Sequence, residues 1–205
     1  LIARDHSRRL VEIILDQIDL TVVSPYVISG PVPANMFFGR EYELKTIVRT
    51  VRDTNFAIVG GRKIGKTSVL ARVHQLLQEA PEYKPFYLDC QAIRSHADFF
   101  EAIDTMWKTP LPAPTPEGFR RMATDLAAQY PSRTVVMMLD EIDGLLLHDI
   151  ACDEHLFRVL RALTQEGQLR LVACGEKILN AALHNPRLAF FNSVSYTHLT
   201  LPTNR

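Results

Sequence analysis

The sequence has 205 residues, 47% of them hydrophobic and 22% charged, and 23 Lys and Arg residues balance 23 Asp and Glu residues. This composition is typical of a folded globular domain, and it excludes a disordered chain or a uniformly basic nucleic-acid-binding protein. Three widely spaced cysteines exclude a disulfide framework, and no apolar run is long enough to cross a bilayer. We therefore expect a cytoplasmic protein without a membrane anchor.

The predicted elements begin with a helix over residues 6–20 and a linker rich in Pro and Gly, so residues 1–24 are expected to be a helix and linker from an upstream region. A second helix is predicted over residues 41–52. From there strands alternate with helices, and the strands are predicted at 56–60, 85–90, 134–143 and 169–175. Helices are predicted after Ser95 and Thr115, around Leu156–Leu163 and over 176–184. This alternation predicts an α/β sandwich with a parallel sheet covered on both faces.

The segment between the first strand and its helix reads Gly60-Gly61-Arg62-Lys63-Ile64-Gly65-Lys66-Thr67, followed by Ser68. It matches the P-loop pattern, in which glycines let the backbone wrap around phosphates and the helix N-terminus faces the negative charge. Lys66 is expected to reach the β- and γ-phosphates, and the Thr67 hydroxyl to bind Mg²⁺. The alternative is a glycine-rich turn without a ligand. Arg62 and Lys63 either contact phosphate or are solvated loop charges.

The strand "VVMMLDEID" ends in acidic residues, at the edge of a parallel sheet where ligands bind. Asp140 fits a Walker B carboxylate that holds Mg²⁺, and Glu141 fits a base that activates water. The alternative is a helix N-cap or a solvated acidic turn. Asp143 is expected to be a loop or capping residue.

Together, "MFFGREYEL", "GGRKIGKTSVL" and "VVMMLDEID" resemble the AAA+/STAND superclass of P-loop ATPases, especially its bacterial and archaeal STAND-like members, over residues 25–193. The resemblance implies a three-layer P-loop NTPase sandwich with the sheet order 5-1-4-3-2. It also implies that Phe38, Gly39 and Arg40 border the adenine. A residue that senses the γ-phosphate is expected near Cys174 or Glu176, although a buried strand cysteine is the alternative for Cys174.

Residues 194–203, "VSYTHLTLPT", resemble the translation of a common sequencing adapter. We therefore expect residues 194–205 to be a non-native tail and residues 25–193 to be an incomplete ATPase domain that lacks strand 5. The alternative is a genuine β-rich tail, since Thr, Tyr, Val and Leu suit strands.

The function predicted from these features is an ATP-binding and ATP-hydrolysing switch module in signal transduction. Lys66 and Glu141 are its catalytic residues, Thr67 and Asp140 bind Mg²⁺, and residues 38–40 and 60–68 bind ATP or ADP. Two alternatives are a nucleotide-dependent scaffold with little turnover and a DNA-dependent AAA+ ATPase. The resemblance implies fused effector or sensor domains, and it leaves oligomerisation on ATP binding and contact with nucleic acid open.

Overall fold

Five parallel strands form one sheet in the part of the chain that the computed structural model describes, residues 39–190 and 193–199. The chain divides into two units, Leu1–Phe37 and Phe38–Arg205, and the described residues all lie in the second. The predicted helix at 6–20, the linker after it and Phe38 therefore lie outside the described residues. The strands are β1 (Phe56–Val59), β2 (Tyr83–Asp89), β3 (Thr134–Asp140), β4 (Arg170–Gly175) and β5 (Ser195–His198).

The order of the strands across the sheet is β2-β3-β4-β1-β5, which confirms the predicted order 5-1-4-3-2. Each neighbouring pair is parallel, so the carboxyl ends of all strands lie at one edge. The last residues of β2 and β3, Asp89 and Asp140, are paired in register. The ends of β1 and β4 are likewise paired, Val59 with Gly175. The P-loop after β1 and the acidic segment after β3 therefore emerge at the same edge, separated only by β4.

Seven helices precede or connect the strands within the described residues: α1 (Glu41–Thr50), α2 (Lys66–Glu79), α3 (His96–Trp107), α4 (Pro116–Gln129), α5 (Asp143–Ala151), α6 (His155–Gln165) and α7 (Lys177–His184). The helices predicted after Ser95 and Thr115 are both present with side-chain caps. The Ser95 hydroxyl accepts from the Asp98 amide, and the Asp98 carboxylate accepts from the Ser95 amide, which completes a capping box. The Thr115 hydroxyl accepts from the Gly118 amide, and Pro116 is the first residue of α4.

The sheet is buried on both faces, because successive side chains of a strand point in opposite directions. In β3, Val135, Met137 and Leu139 belong to the larger core, which also contains buried residues of α3 to α7. The intervening Val136 and Met138 are fully buried on the other face, where α2 contacts β2, β3 and β4. This arrangement is the three-layer sandwich expected from strands without polar alternation.

The expected absence of strand 5 is corrected by the structure, since Ser195–His198 pairs with β1 along its whole length. The Ser195 amide donates to the Asn55 carbonyl at 2.8 Å, and the Leu199 amide donates to the Val59 carbonyl at 2.7 Å. The physical reason is that a free strand edge offers backbone donors and acceptors to any extended segment, whatever its side chains. Since this pairing is made by the backbone, the origin of residues 194–205 stays a prediction.

Among the described helices, none combines the length and the apolar character that crossing a membrane requires. Cys90, Cys152 and Cys174 are all free thiols.

Candidate functional site

The P-loop connects β1 to α2 with two residues in the left-handed region of backbone space. Gly65 has φ 95° and Lys63 has φ 58°. Gly65 immediately precedes α2, and its carbonyl accepts from the Val69 amide, so the helix begins at the motif lysine, Lys66. A glycine suits position 65 because a Cβ would strain a backbone with that φ. The turn therefore presents the amides of the first turn of α2, and the positive end of its dipole, toward the edge of the sheet.

Lys66 is buried at the base of the loop, with only 3% of its side chain exposed. Its Nζ donates to the Gly61 carbonyl at 3.0 Å and to Glu176 Oε1 at 3.2 Å, and it lies 3.9 Å from Glu141 Oε1. These contacts show that the P-loop, the end of β3 and the end of β4 meet at one point. The ion pair with Glu176 was not predicted from the sequence, although Glu176 was named as a candidate sensor.

Asp140 is the last residue of β3 and is 1% exposed. Two protein groups donate to its carboxylate, the Tyr87 hydroxyl at 2.9 Å and the Glu141 amide at 3.0 Å. Burial and the charge of Asp140 raise the pKa of Tyr87 and of Cys174, so both stay protonated and the Tyr87 hydroxyl acts as a donor. This donor set compensates for the burial of a charged carboxylate.

Glu141 follows with φ 50°, a left-handed backbone conformation that residues other than glycine rarely adopt. The conformation takes the chain out of β3, and the Glu141 side chain is left 37% exposed, close to Lys66. Partial burial raises the pKa of Glu141 above its ordinary value; Lys66 lowers it, while Asp140, Glu176 and Asp143 raise it. A carboxylate with a raised pKa, held in an open cleft, has the properties of a general base.

Asp143 begins α5 but caps a different helix. One carboxylate oxygen accepts from the Glu176 amide at 2.6 Å, and the other accepts from the Ile178 amide at 2.7 Å. The carboxylate also packs against Gly175, where a Cβ would lie 2.5 Å from it. Asp143 therefore fixes the turn between β4 and α7, which is the turn that carries Glu176.

Of these groups, Glu141, Asp143 and Glu176 line a cleft of about 670 Å³ at the carboxyl ends of β1, β3 and β4. Its walls are formed by Gly60, Gly61 and Arg62 of the P-loop, by the acids Glu141, Asp143 and Glu176, and by the start of α7. The cleft thus places carboxylates, which attract cations, beside the P-loop, whose buried Lys66 contacts Glu141 and Glu176 and attracts anions. Open α/β sheets bind their ligands at this edge.

The other predicted binding residues lie in the P-loop, at the start of α2 and before α1. Arg62 and Lys63 are exposed, whereas Ser68 is buried in the first turn of α2 next to the half-buried Thr67. Ile64 is half-buried, and its side chain lies 3.0 Å from where a Cβ on Gly60 would be. Of the predicted adenine residues in the described range, Gly39 has φ 80°, and Arg40 precedes α1 and pairs with Glu43 at 3.2 Å. Their contact with a base stays a prediction.

Tyr87 is the site residue that sequence reasoning missed. It lies in β2, which pairs with β3, and Tyr87 is in register with Met138, two residues before Asp140. In the sequence it is one aromatic residue of a β-strand, where tyrosine is common. Its role becomes visible only when β2 and β3 pair in register, because this pairing brings the Tyr87 hydroxyl to Asp140, which is 53 positions later in the sequence.

Comparisons with known proteins agree with this geometry. The family described as AAA domain matches residues 49–183, more than half of the chain. No protein with a curated description matches the sequence.

Solved structures with the same fold include three archaeal proteins. The ORC2 protein of Aeropyrum pernix, in ADPNP and ADP complexes, superposes with a TM-score of 0.64 at 16% identity, over 85% of this chain and 50% of that one. The ORC1 protein of the same organism, in complex with DNA, gives 0.63 at 20% identity, over 82% and 46%. A Walker-type ATPase of Pyrococcus abyssi gives 0.62 at 14% identity, over 86% and 57%.

The chain thus spans about half of the length of these proteins. At such identities the likeness shows the fold, and the match to residues 49–183 shows the family. The chain belongs to the AAA domain family and has the fold of the P-loop AAA+ ATPases.

Proposed function

We propose that this AAA domain binds Mg·ATP in the cleft between the P-loop and Asp140–Glu141, and hydrolyses it as a switch module of the STAND or AAA+ type. The observation that carries the proposal is the approach of Lys66 Nζ to Glu141 Oε1, at 3.9 Å, next to Asp140 at the carboxyl edge of the sheet. The description of the Aeropyrum pernix ORC2 structure as ADPNP and ADP complexes supports adenine nucleotide as the ligand.

The residues at the cleft fit magnesium by their chemistry. Thr67 offers a hydroxyl and Asp140 a carboxylate. Mg²⁺ prefers oxygen ligands, and it is commonly bound by a few protein oxygens together with oxygens of the substrate phosphates. In this proposal Thr67 and Asp140 hold the ion. Bound Mg²⁺ supplies positive charge that neutralises the phosphate oxygens.

The protein's own groups divide the remaining work. The backbone of residues 60–65 and the N-terminus of α2 surround the phosphates, and Lys66 contacts the terminal ones. Glu141 accepts a proton from the attacking water. The water oxygen forms a bond to the γ-phosphorus, the bond to the bridging oxygen breaks, and ADP leaves with that electron pair. Residues 38–40 are proposed to contact the base, and fused sensor or effector domains to read the nucleotide state.

Glu141→Gln tests the assignment of the base. We expect the variant to bind Mg·ATP as the unaltered chain does, and to release phosphate at least ~100-fold more slowly, because glutamine accepts no proton. The rate of the unaltered chain should also fall as the pH drops through the raised pKa of Glu141, since the protonated carboxyl cannot act as a base. Phosphate release and calorimetric ATP binding are the two measurements.

Glu101→Gln, on an exposed position of α3, is the matched control and should change neither measurement. Unchanged phosphate release in Glu141→Gln would reject Glu141 as the base. Tight Mg·ATP binding without any phosphate release by the unaltered chain would favour a nucleotide-dependent scaffold instead of an ATPase.

Tyr87→Phe tests the orientation of Asp140. The variant removes the hydroxyl that donates to Asp140 at 2.9 Å and keeps the ring. We expect the Mg²⁺ concentration for half-maximal nucleotide binding to rise roughly tenfold, because groups that orient a metal ligand commonly contribute that much to metal affinity. Tyr130→Phe is the control, since the Tyr130 ring contacts Lys84 near the start of β2, at the end of the strand opposite to the cleft. Equal Mg²⁺ dependence in both variants would contradict this role.

A second candidate, a DNA-dependent AAA+ ATPase, is favoured by one finding: similar structures include the Aeropyrum pernix ORC1 protein in complex with DNA and Drosophila ORC bound to DNA. The zero net charge of the chain gives no general attraction to DNA. Stimulation of phosphate release by duplex DNA, lost at high salt, would select this candidate. If the rate of phosphate release does not depend on DNA, the signalling switch remains the favoured function.

A further inference from the structure

The end of β4 carries an acidic residue that faces the phosphate-binding lysine. Glu176 lies between β4 and α7, lines the cleft, and places Oε1 3.2 Å from Lys66 Nζ. Its side chain is 25% exposed, whereas that of Lys66 is 3% exposed. The ion pair is therefore formed at the bottom of the cleft, where screening by water and salt is weaker than at a surface.

The position of this carboxylate is fixed by the backbone around it. The Glu176 amide donates to Asp143 at 2.6 Å, and the Ile178 amide donates to the same carboxylate at 2.7 Å. Two elements, α5 and α7, thus hold the turn at Glu176. The side chain reaches Lys66 from a fixed base, which distinguishes it from a long surface acid that meets a lysine by chance.

Lys66 is consequently surrounded by oxygen atoms from the protein. The Gly61 carbonyl lies at 3.0 Å, the Glu176 carboxylate at 3.2 Å and the Glu141 carboxylate at 3.9 Å. A phosphate group that approaches Lys66 must replace the Glu176 contact or share the ammonium group with it. In either case the phosphate comes close to the negative charge of Glu176, which lies within hydrogen-bonding distance of Lys66.

We propose that Glu176 determines nucleotide specificity: its carboxylate competes with the terminal phosphate for Lys66 and lowers the affinity for triphosphate relative to diphosphate. The proposal rests on the proposed function, in which Lys66 contacts the terminal phosphates. ATP brings a further phosphate, and its charge, to the P-loop lysine, so repulsion by Glu176 penalises ATP more than ADP. Glu176 thereby sets how readily a switch of this kind fills with ATP.

The test is E176Q, which keeps the shape of the side chain and its acceptor oxygen and removes the charge. We expect the affinity for Mg·ATP to rise roughly tenfold, equivalent to ~1.4 kcal/mol, and the affinity for Mg·ADP to rise less, by about twofold. Calorimetry on the complete chain measures both affinities. At high salt the substitution should change the ratio of the ATP affinity to the ADP affinity by a smaller factor, because salt screens the charge repulsion.

Inorganic tripolyphosphate and pyrophosphate provide a second measurement, which removes any contribution of the base. E176Q should favour tripolyphosphate over pyrophosphate in the same direction. Glu101→Gln, which removes one charge from an exposed position of α3, should leave every ratio unchanged.

The outcomes separate this proposal from the proposed function. If the unaltered chain binds nucleotide and E176Q changes the affinities for ATP and ADP equally, or weakens ATP binding, Glu176 is not a competitor of phosphate and only this inference fails. If neither the unaltered chain nor E176Q binds either nucleotide, both the proposed function and this inference are overturned.

Discussion

Lys66→Ala is expected to lower the affinity for Mg·ATP by at least ~100-fold, which corresponds to ~2.7 kcal/mol. The variant removes a charge-assisted hydrogen-bond donor from the bottom of the cleft, where the lysine side chain is 3% exposed. It also leaves Glu176 and Glu141 without the cation that lies between 3.2 and 3.9 Å from them. An incoming polyphosphate would lose an attraction and meet two uncompensated carboxylates, so the loss should exceed that of an ordinary phosphate contact.

A double substitution separates these two causes. Lys66→Ala combined with Glu176→Gln should recover part of the lost affinity if the uncompensated acid contributes, and calorimetric titration with Mg·ATP measures the recovery. Lys45→Ala, on an exposed position of α1, is the control for the loss of a positive charge and should bind normally. Undiminished ATP binding by Lys66→Ala would show that the P-loop is not the phosphate site.

Asp149→Ala is expected to destabilise the fold by about 3 kcal/mol, the largest effect on stability among the substitutions considered. Asp149 is fully buried in α5, and one of its oxygens accepts from His96 at 2.6 Å and from the Leu156 amide at 2.9 Å. The other oxygen accepts from the Phe157 amide at 2.9 Å. These two amides belong to the first turn of α6, where Glu154 supplies no side-chain cap. Alanine would leave both buried donors without a partner.

Urea denaturation measures this loss as a lower midpoint at an unchanged slope. Asp149→Asn keeps one acceptor oxygen and should cost about half as much. Asp125→Ala, on an exposed position of α4, should remain within ~0.5 kcal/mol of the unaltered chain. A loss below ~1 kcal/mol for Asp149→Ala would mean that water replaces the carboxylate, and that α6 does not depend on Asp149.

Local chemistry made much of this fold predictable. The caps at Ser95 and Thr115 depend on residues within three positions of each other, so the sequence shows them directly. The strands β1 and β3 are apolar runs that end at glycine or aspartate, and their burial on both faces follows from that composition. The P-loop could be placed because strand, loop and helix are consecutive in the chain.

One helix was not predicted, and the reason is local. Residues 143–151 form α5, but the strand was predicted to continue to residue 143 and no element was predicted for residues 144–151. Leu145 and Leu146 are fully buried, but adjacent leucines do not show a helical period by themselves. The helix is stabilised by its contacts with α3, α6 and α7, which the sequence of the segment does not contain.

The motifs identified several residues of the candidate site but none of the contacts between them. Lys66, Asp140 and Glu141 were identified from motifs, whereas the Lys66–Glu176 pair joins residues 110 positions apart and the Tyr87–Asp140 bond joins residues 53 positions apart. Such contacts depend on strand order and register, which place β4 between β1 and β3 and place β2 beside β3. The fifth strand was not expected for a different reason. The edge of β1 pairs with extended backbone whatever side chains that backbone carries.

At Glu141, the left-handed backbone makes the requirements of stability and of the proposed catalysis oppose each other. With φ 50°, this residue has a conformation that costs of order 1–3 kcal/mol for any side chain with a Cβ. Glycine would relieve that cost and at the same time remove the carboxylate. Selection for stability alone would therefore favour glycine at this position, and retention of the acid in related sequences would indicate selection for turnover.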